Sequence, residues 1–122
     1  MDFNERKKIV QKAITFSFIS DERRVIMLEN TFKTKLVSEL RDMFPGCIIA
    51  HLDPNEIQGI PDLLILYKNK WAVLEGKQYK KARRRPNQDY YVDLMDRMSF
   101  AAFIYPENKD VVLDSLYLHF MN

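Results

Sequence analysis

The chain has 122 residues, 47% hydrophobic and 30% charged, with 12% aromatics and a net charge of +2, which suits one domain around a single modest core. The near-neutral charge points to no partner by itself. The single cysteine, Cys47, excludes an intrachain disulfide and a cysteine-based zinc site, and no apolar run approaches the ~20 residues of a membrane span. A cytoplasmic protein is expected.

Residues 1–20 form an N-terminal segment before the core at 21–122. A short helix from about Asn4 to Ile14 is expected there. Gln11, Lys12, Thr15 and Ser17 interrupt its apolar part, so no signal peptide is read. The segment either packs on its own domain or serves as an arm in a dimer. From Asp21, a possible N-cap, the pattern is helical until Pro45-Gly46 stops it. At about 100° per residue, Val25, Ile26, Leu28, Phe32, Leu36, Val37, Leu40, Met43 and Phe44 share one half of the wheel. Two charged residues, Glu29 and Lys33, fall inside that apolar arc, and Glu39 lies near its edge. A carboxylate at Glu29, centred in the arc, is out of place.

Residues 47–52, CIIAHL, read as a strand, and the turn-rich DPNEIQGIP as a loop. DLLILY and WAVLEGK follow as two strands joined at Lys68-Asn69. After the basic connection KQYKKARRRPNQ comes a helix from about Asn87 to Met98, with Tyr91, Leu94, Met95 and Met98 at helical spacing. SFAAFIY is a fourth strand. NKDVVLDSLYLHF is a last helix, with Val112, Leu116 and Phe120 on one side. The order α-β-β-β-α-β, closed by a helix, describes an α/β domain with a small mixed four-stranded sheet flanked by helices.

The hairpin carries the chemistry. With Lys68 and Asn69 as central turn residues, Tyr67 pairs with Lys70, Leu64 with Val73, and Asp62 faces Glu75. Their β-carbons would then lie roughly 4.5–5.5 Å apart. Two carboxylates so placed repel each other, and a divalent cation between them removes the conflict. Oxygen ligands suit magnesium, with manganese able to substitute. In the metal's absence Asp62→Asn is expected to be neutral or stabilising, since it removes the repulsion. Period two puts Lys77 on the same side as Glu75, and Gly76 between them leaves its backbone carbonyl open to serve as a further ligand.

GIPDLL followed by LEGK resembles the P-D…(D/E)-x-K signature of the PD-(D/E)XK nuclease superfamily. With the later RRPNQDYYVDLM, it is most similar to the virus-type replication-repair nuclease (VRR-NUC) branch, which shares its core with archaeal-type Holliday-junction resolvases and restriction endonucleases. The resemblance spans about Val25 to Tyr105 and implies a restriction-endonuclease-like core. It assigns Asp62 and Glu75 to metal binding, Lys77 to catalysis, and Glu29 to the helix glutamate of many members, bound to the metal directly or through water. Gln88 matches a glutamine near the active site, on the nucleic-acid side. Where the family usually has an apolar residue between acid and lysine, this chain has Gly76.

The implied activity is Mg2+-dependent hydrolysis of DNA phosphodiester bonds by an endonuclease selective for branched, Holliday-junction-like structures. It would work as a homodimer in a bacterial cytoplasm, encoded by a phage or prophage. Alternatives are a nuclease on duplex ends, flaps, single strands or RNA, and a non-catalytic nucleic-acid-binding module of the same fold. Lys80, Lys81, Arg83, Arg84 and Arg85 leave the active-site strand directly, so contact with nucleic-acid phosphates is expected of them. His51 and His119 are expected to be structural, His51 with a weaker claim to a place beside Asp62. Asp53 and Glu56 are either substrate-side or solvated.

Overall fold

A computed structural model describes residues 2–7 and 21–122; the side chains of residues 21–27 and of Glu29 fall outside what it describes. Residues 3–7 are helical, and the rest of the expected N-terminal helix, with the possible arm, lies outside the described residues. The long helix α1 runs Asp21–Met43. It ends where Gly46 takes φ +88°, a left-handed turn that glycine adopts without steric cost. Leu36, Leu40 and Phe44, spaced four apart, are completely buried. Leu28 belongs to the same apolar arc yet is 42% exposed. The reason is length: 23 residues of helix span about 34 Å, whereas strands of four to seven residues cover roughly 13–24 Å, so the first turns overhang the sheet.

Strands β1 (Ile48–His51), β2 (Leu63–Tyr67), β3 (Lys70–Gly76) and β4 (Ala101–Ile104) form one sheet in sequential order. The first two pairings are antiparallel. The third is parallel, because helix α2 (Gln88–Met98) carries the chain back before β4 begins. In the β2–β3 hairpin Tyr67 pairs with Lys70, Leu64 with Val73 and Leu63 with Leu74, the register counted from the turn. Lys68 sits at φ +57°, a turn position where glycine is favoured. The register holds despite that, since a one-residue slip would turn Leu63 and Ile65 out of the core.

Alternation assigns the two faces of the sheet. Leu63, Ile65, Ala72, Leu74 and Ile104 point to one side and form a single core with α1 and the last helix, α3 (Lys109–Met121). Val112, Leu116 and Phe120 of α3 are buried there as their spacing predicts, joined by Leu113. The Phe44 ring meets Phe120 edge-on at 5.0 Å and Tyr67 at 5.3 Å. Each fully buried Leu or Phe in such a cluster contributes about 1.5–3 kcal/mol. Lys109 reaches Glu39 at 2.9 Å and ties α3 to α1. Val73 and Glu75 point to the opposite side, where α2 packs on β3 and β4. Tyr91, Leu94 and Met95 of α2 are half-buried, but Met98, in the final turn, is 66% exposed. Among the described residues no helix is long and apolar enough to cross a membrane.

Candidate functional site

Asp62 immediately precedes β2, and two hydrogen bonds fix its backbone. Its carbonyl accepts from the Leu52 N–H at 2.8 Å, prolonging the β1–β2 pairing, and its own N–H donates to Glu75 Oε2 at 2.8 Å. The register that sets Leu63 opposite Leu74 therefore brings Asp62 to Glu75, one step further along.

Glu75 is 5% exposed, and both its oxygens are engaged. Oε2 takes the Asp62 N–H, while Oε1 accepts from Gln88 Nε2 at 3.0 Å and lies 3.7 Å from Lys77 Nζ. Burial pushes its carboxyl above the usual carboxylate value; the Lys33 and Lys77 ammonium groups and the Asp62 N–H pull the other way without cancelling that effect. Lys77 is buried too, its N–H held by the Ile104 carbonyl at 2.8 Å and its Nζ 3.4 Å from the Arg83 carbonyl.

Asp62 is not left to repel Glu75. Lys33 of α1 places Nζ 3.0 Å from Asp62 Oδ2. The repulsion expected from two facing carboxylates is thus offset within the protein, and Asp62→Asn now removes an ion pair instead of relieving a conflict. Lys33 reaches the pair by lying across Gly76. A β-carbon built at Gly76 would stand 3.0 Å from Lys33 Cγ and 3.1 Å from Cε. His51 Nδ1 is 3.9 Å from Asp62 Oδ1, and the ring is largely exposed. Glu29 lies on α1, one turn before Lys33, and its side chain is outside the described residues.

Gln88, expected on the nucleic-acid side, is buried and has an internal task. Its amide nitrogen holds Glu75 and its carbonyl accepts from the Arg85 N–H at 2.8 Å. The basic loop is exposed from Lys80 to Arg85 except at Ala82. Arg84 pairs with Asp89 and stacks over the Phe103 ring at 4.1 Å, so it is the most tied of the five. Asp53 organises its own turn by accepting from the Asn55 N–H, and Glu56 is exposed. His119 is structural: Nε2 sits 3.2 Å from Ser99 Oγ and 3.1 Å from the Trp71 carbonyl.

The carboxylates sit where open clefts meet. One, of about 470 Å³, passes Glu75 and Lys77 to Tyr79, Arg83 and Arg85. Another, of about 280 Å³, connects Asp62 and Glu75 to Asn55, Gln58 and Arg85, and a third, of about 820 Å³, runs from Asp62 to His51 and Arg41. Lys33 lines all three.

Sequence reasoning overlooked two residues here. Lys33 carried a signal, because it lay in the same apolar arc that singled out Glu29. Gln78 carried none: among the described residues its buried amide oxygen has no hydrogen-bond partner, and the residue lines the cleft beside Lys77.

Among the described residues no group of three or more His, Cys, Asp and Glu side chains gathers as a metal site. The donors that do meet, Asp62 and Glu75, are hard carboxylate oxygens, and a cationic ammonium already rests against Asp62. That donor chemistry fits a magnesium-type ion. No family model, curated protein or solved structure matches the chain.

Proposed function

We propose that the chain is a metal-dependent nuclease of the PD-(D/E)XK type, with a restriction-endonuclease-like core, that hydrolyses DNA phosphodiester bonds in branched structures and works as a homodimer. The observation that supports this most is one juxtaposition: Asp62 and Glu75 meet at the end of a hairpin, with the Lys77 ammonium 3.7 Å from Glu75 and clefts opening from the group. Asp62 and Glu75, with the Gly76 carbonyl and Glu29, would hold a magnesium ion. When bound, it would supply Lewis-acid polarisation of the scissile phosphate and a water acidic enough to attack.

The chain's own groups do the rest. Lys77, held by Glu75 and the Arg83 carbonyl, presents positive charge where a phosphorane-like transition state becomes more negative. Gln88 and the Asp62 N–H keep the Glu75 carboxylate in one orientation. Lys80, Lys81, Arg83 and Arg85 bind the sugar-phosphate backbone without reading bases.

The test is cleavage of a labelled four-way junction in Mn2+, beside flap, duplex and single-stranded substrates at equal concentration. Wild type should cut the junction best, and Lys77→Ala and Asp62→Ala should each lose at least about a hundredfold. Variants that cut like wild type would disprove the assignment. A second reading is favoured by the internal neutralisation of the site, where each Glu75 oxygen accepts a hydrogen bond and Asp62 faces Lys33. It makes the chain a nucleic-acid-binding module of the same fold, recognised by tight binding with no cleavage in either metal.

A further inference from the structure

We propose that Lys33 is the resident counter-cation of the Asp62–Glu75 pair, seated across Gly76, and that a divalent metal must displace it from Asp62 in order to bind. This rests on the metal-site reading above and adds to it a residue and a role for the glycine.

Three observations carry it. Lys33 leaves the core-facing side of α1 and delivers Nζ to within 3.0 Å of Asp62 Oδ2. Its stem lies against Gly76 so closely that even an alanine β-carbon would stand 3.0–3.1 Å from two of its carbons. The face explains why. Glu75 and Lys77 point to the α2 side of β3, so residue 76 points to the α1 side, where Lys33 comes from. A bulky apolar residue at 76 would fill the path of the lysine.

The third observation is charge balance. Among the described residues Lys33 stands against Asp62 and Lys77 against Glu75, so each of these two carboxylates has an ammonium beside it before any metal arrives. A dication bound at Asp62 would meet the Lys33 ammonium, 3.0 Å from Asp62 Oδ2, at short range and with like charge, so that ammonium has to withdraw. The Lys77 side chain is only 7% exposed. Lys33 is 21% exposed and borders three open clefts. Lys33 is therefore the group that moves. Its charge then points into the groove, where a substrate phosphate would meet it, so metal and nucleic acid favour each other's binding.

The experiment titrates Mn2+ into nucleic-acid-free protein, following free Mn2+ by electron paramagnetic resonance, and records metal-free melting temperatures alongside. Lys33→Met keeps the stem and removes the charge. It should bind Mn2+ about tenfold more tightly than wild type, the factor that corresponds to a competing ion pair of about 1.4 kcal/mol. Lys33→Arg should stay near wild type. Gly76→Ala, which pushes on the stem, should move in the same direction as Lys33→Met by a smaller factor. Without metal, Lys33→Met should melt several degrees lower, and adding Asp62→Asn should recover part of the loss. Equal or weaker Mn2+ binding by Lys33→Met overturns the displacement step, and an unchanged metal-free melting temperature overturns the role of Lys33 as counter-cation. If none of these proteins binds Mn2+, the metal reading and the displacement step fall together. The melting temperatures then still decide whether Lys33 is the counter-cation.

Discussion

Gly59 borders the cleft that holds Asp62 and Glu75, and replacing it with alanine should disable the site. Gly59 holds φ +91°, and a β-carbon added there would lie 2.6 Å from the Asn87 carbonyl carbon, 2.7 Å from Asn87 Cβ and 2.7 Å from the Pro86 oxygen. Carbon atoms in contact need about 3.5 Å, so the 86–87 backbone has to retreat by close to 1 Å. Backbone cannot swing aside as a side chain can, and Asn87 is itself fixed at φ +68°. The next residue is Gln88, whose amide is 3.0 Å from Glu75. A displacement of that size breaks the bond and leaves buried polar groups short of a partner, at about 1–3 kcal/mol. The unfavourable φ adds roughly 1–2 kcal/mol. The total, about 2–5 kcal/mol, is a large share of the ~5–15 kcal/mol that holds a domain folded. Gly46→Ala is the internal control. Its φ is +88°, with nothing within 4 Å of the added carbon, so it bears the conformational cost alone. Urea denaturation of both variants isolates the difference, and junction cleavage by Gly59→Ala, tested at a temperature where it stays folded, reports on Gln88. Should Gly59→Ala cost no more than Gly46→Ala, the close approach of loop and helix is not there and the reasoning is refuted.

Other expectations concern charge. Burial holds the folded pKa of Glu75 above its ordinary value of 4.5, so its contribution to stability is fully present below that value and fades as pH rises through the raised one. In metal-free buffer the stability of wild type relative to Glu75→Gln should therefore fall as pH climbs from 4.5 toward neutrality. A difference that grows with pH would mean that Lys33 and Lys77 outweigh desolvation. Nucleic-acid binding should weaken steeply with salt. Replacing Lys80 and Lys81 with alanine should flatten the slope of log K against log salt by about 1–2. Replacing Arg84, tied to Asp89 and Phe103, should change it less. An unchanged slope for the lysine pair would place the contact surface elsewhere.

Much of the fold is legible in the chain because short-range rules govern it. Pro45-Gly46 stops α1, two apolar runs joined by the polar pair Lys68-Asn69 mark β2 and β3, and the apolar positions of α3 repeat at helical spacing. The hairpin register also follows from local counting, even though Lys68-Asn69 is a poor turn pair, because only one register buries Leu63 and Ile65. That register alone puts Asp62 beside Glu75, and period two puts Lys77 with them.

Distant packing decided what neutralises these charges. Nothing near Asp62 in the chain announces Lys33, which arrives from α1 across the gap left by Gly76. Gln88 turns inward because a buried carboxylate offers it an acceptor that outcompetes exposure to solvent. Leu28 is exposed because the helix outruns the sheet. Sequence patterns set which side of an element a residue takes, since that depends on backbone geometry over a few residues. Which charge meets which depends on how the elements stack, and here the stacking supplies each carboxylate with an ammonium.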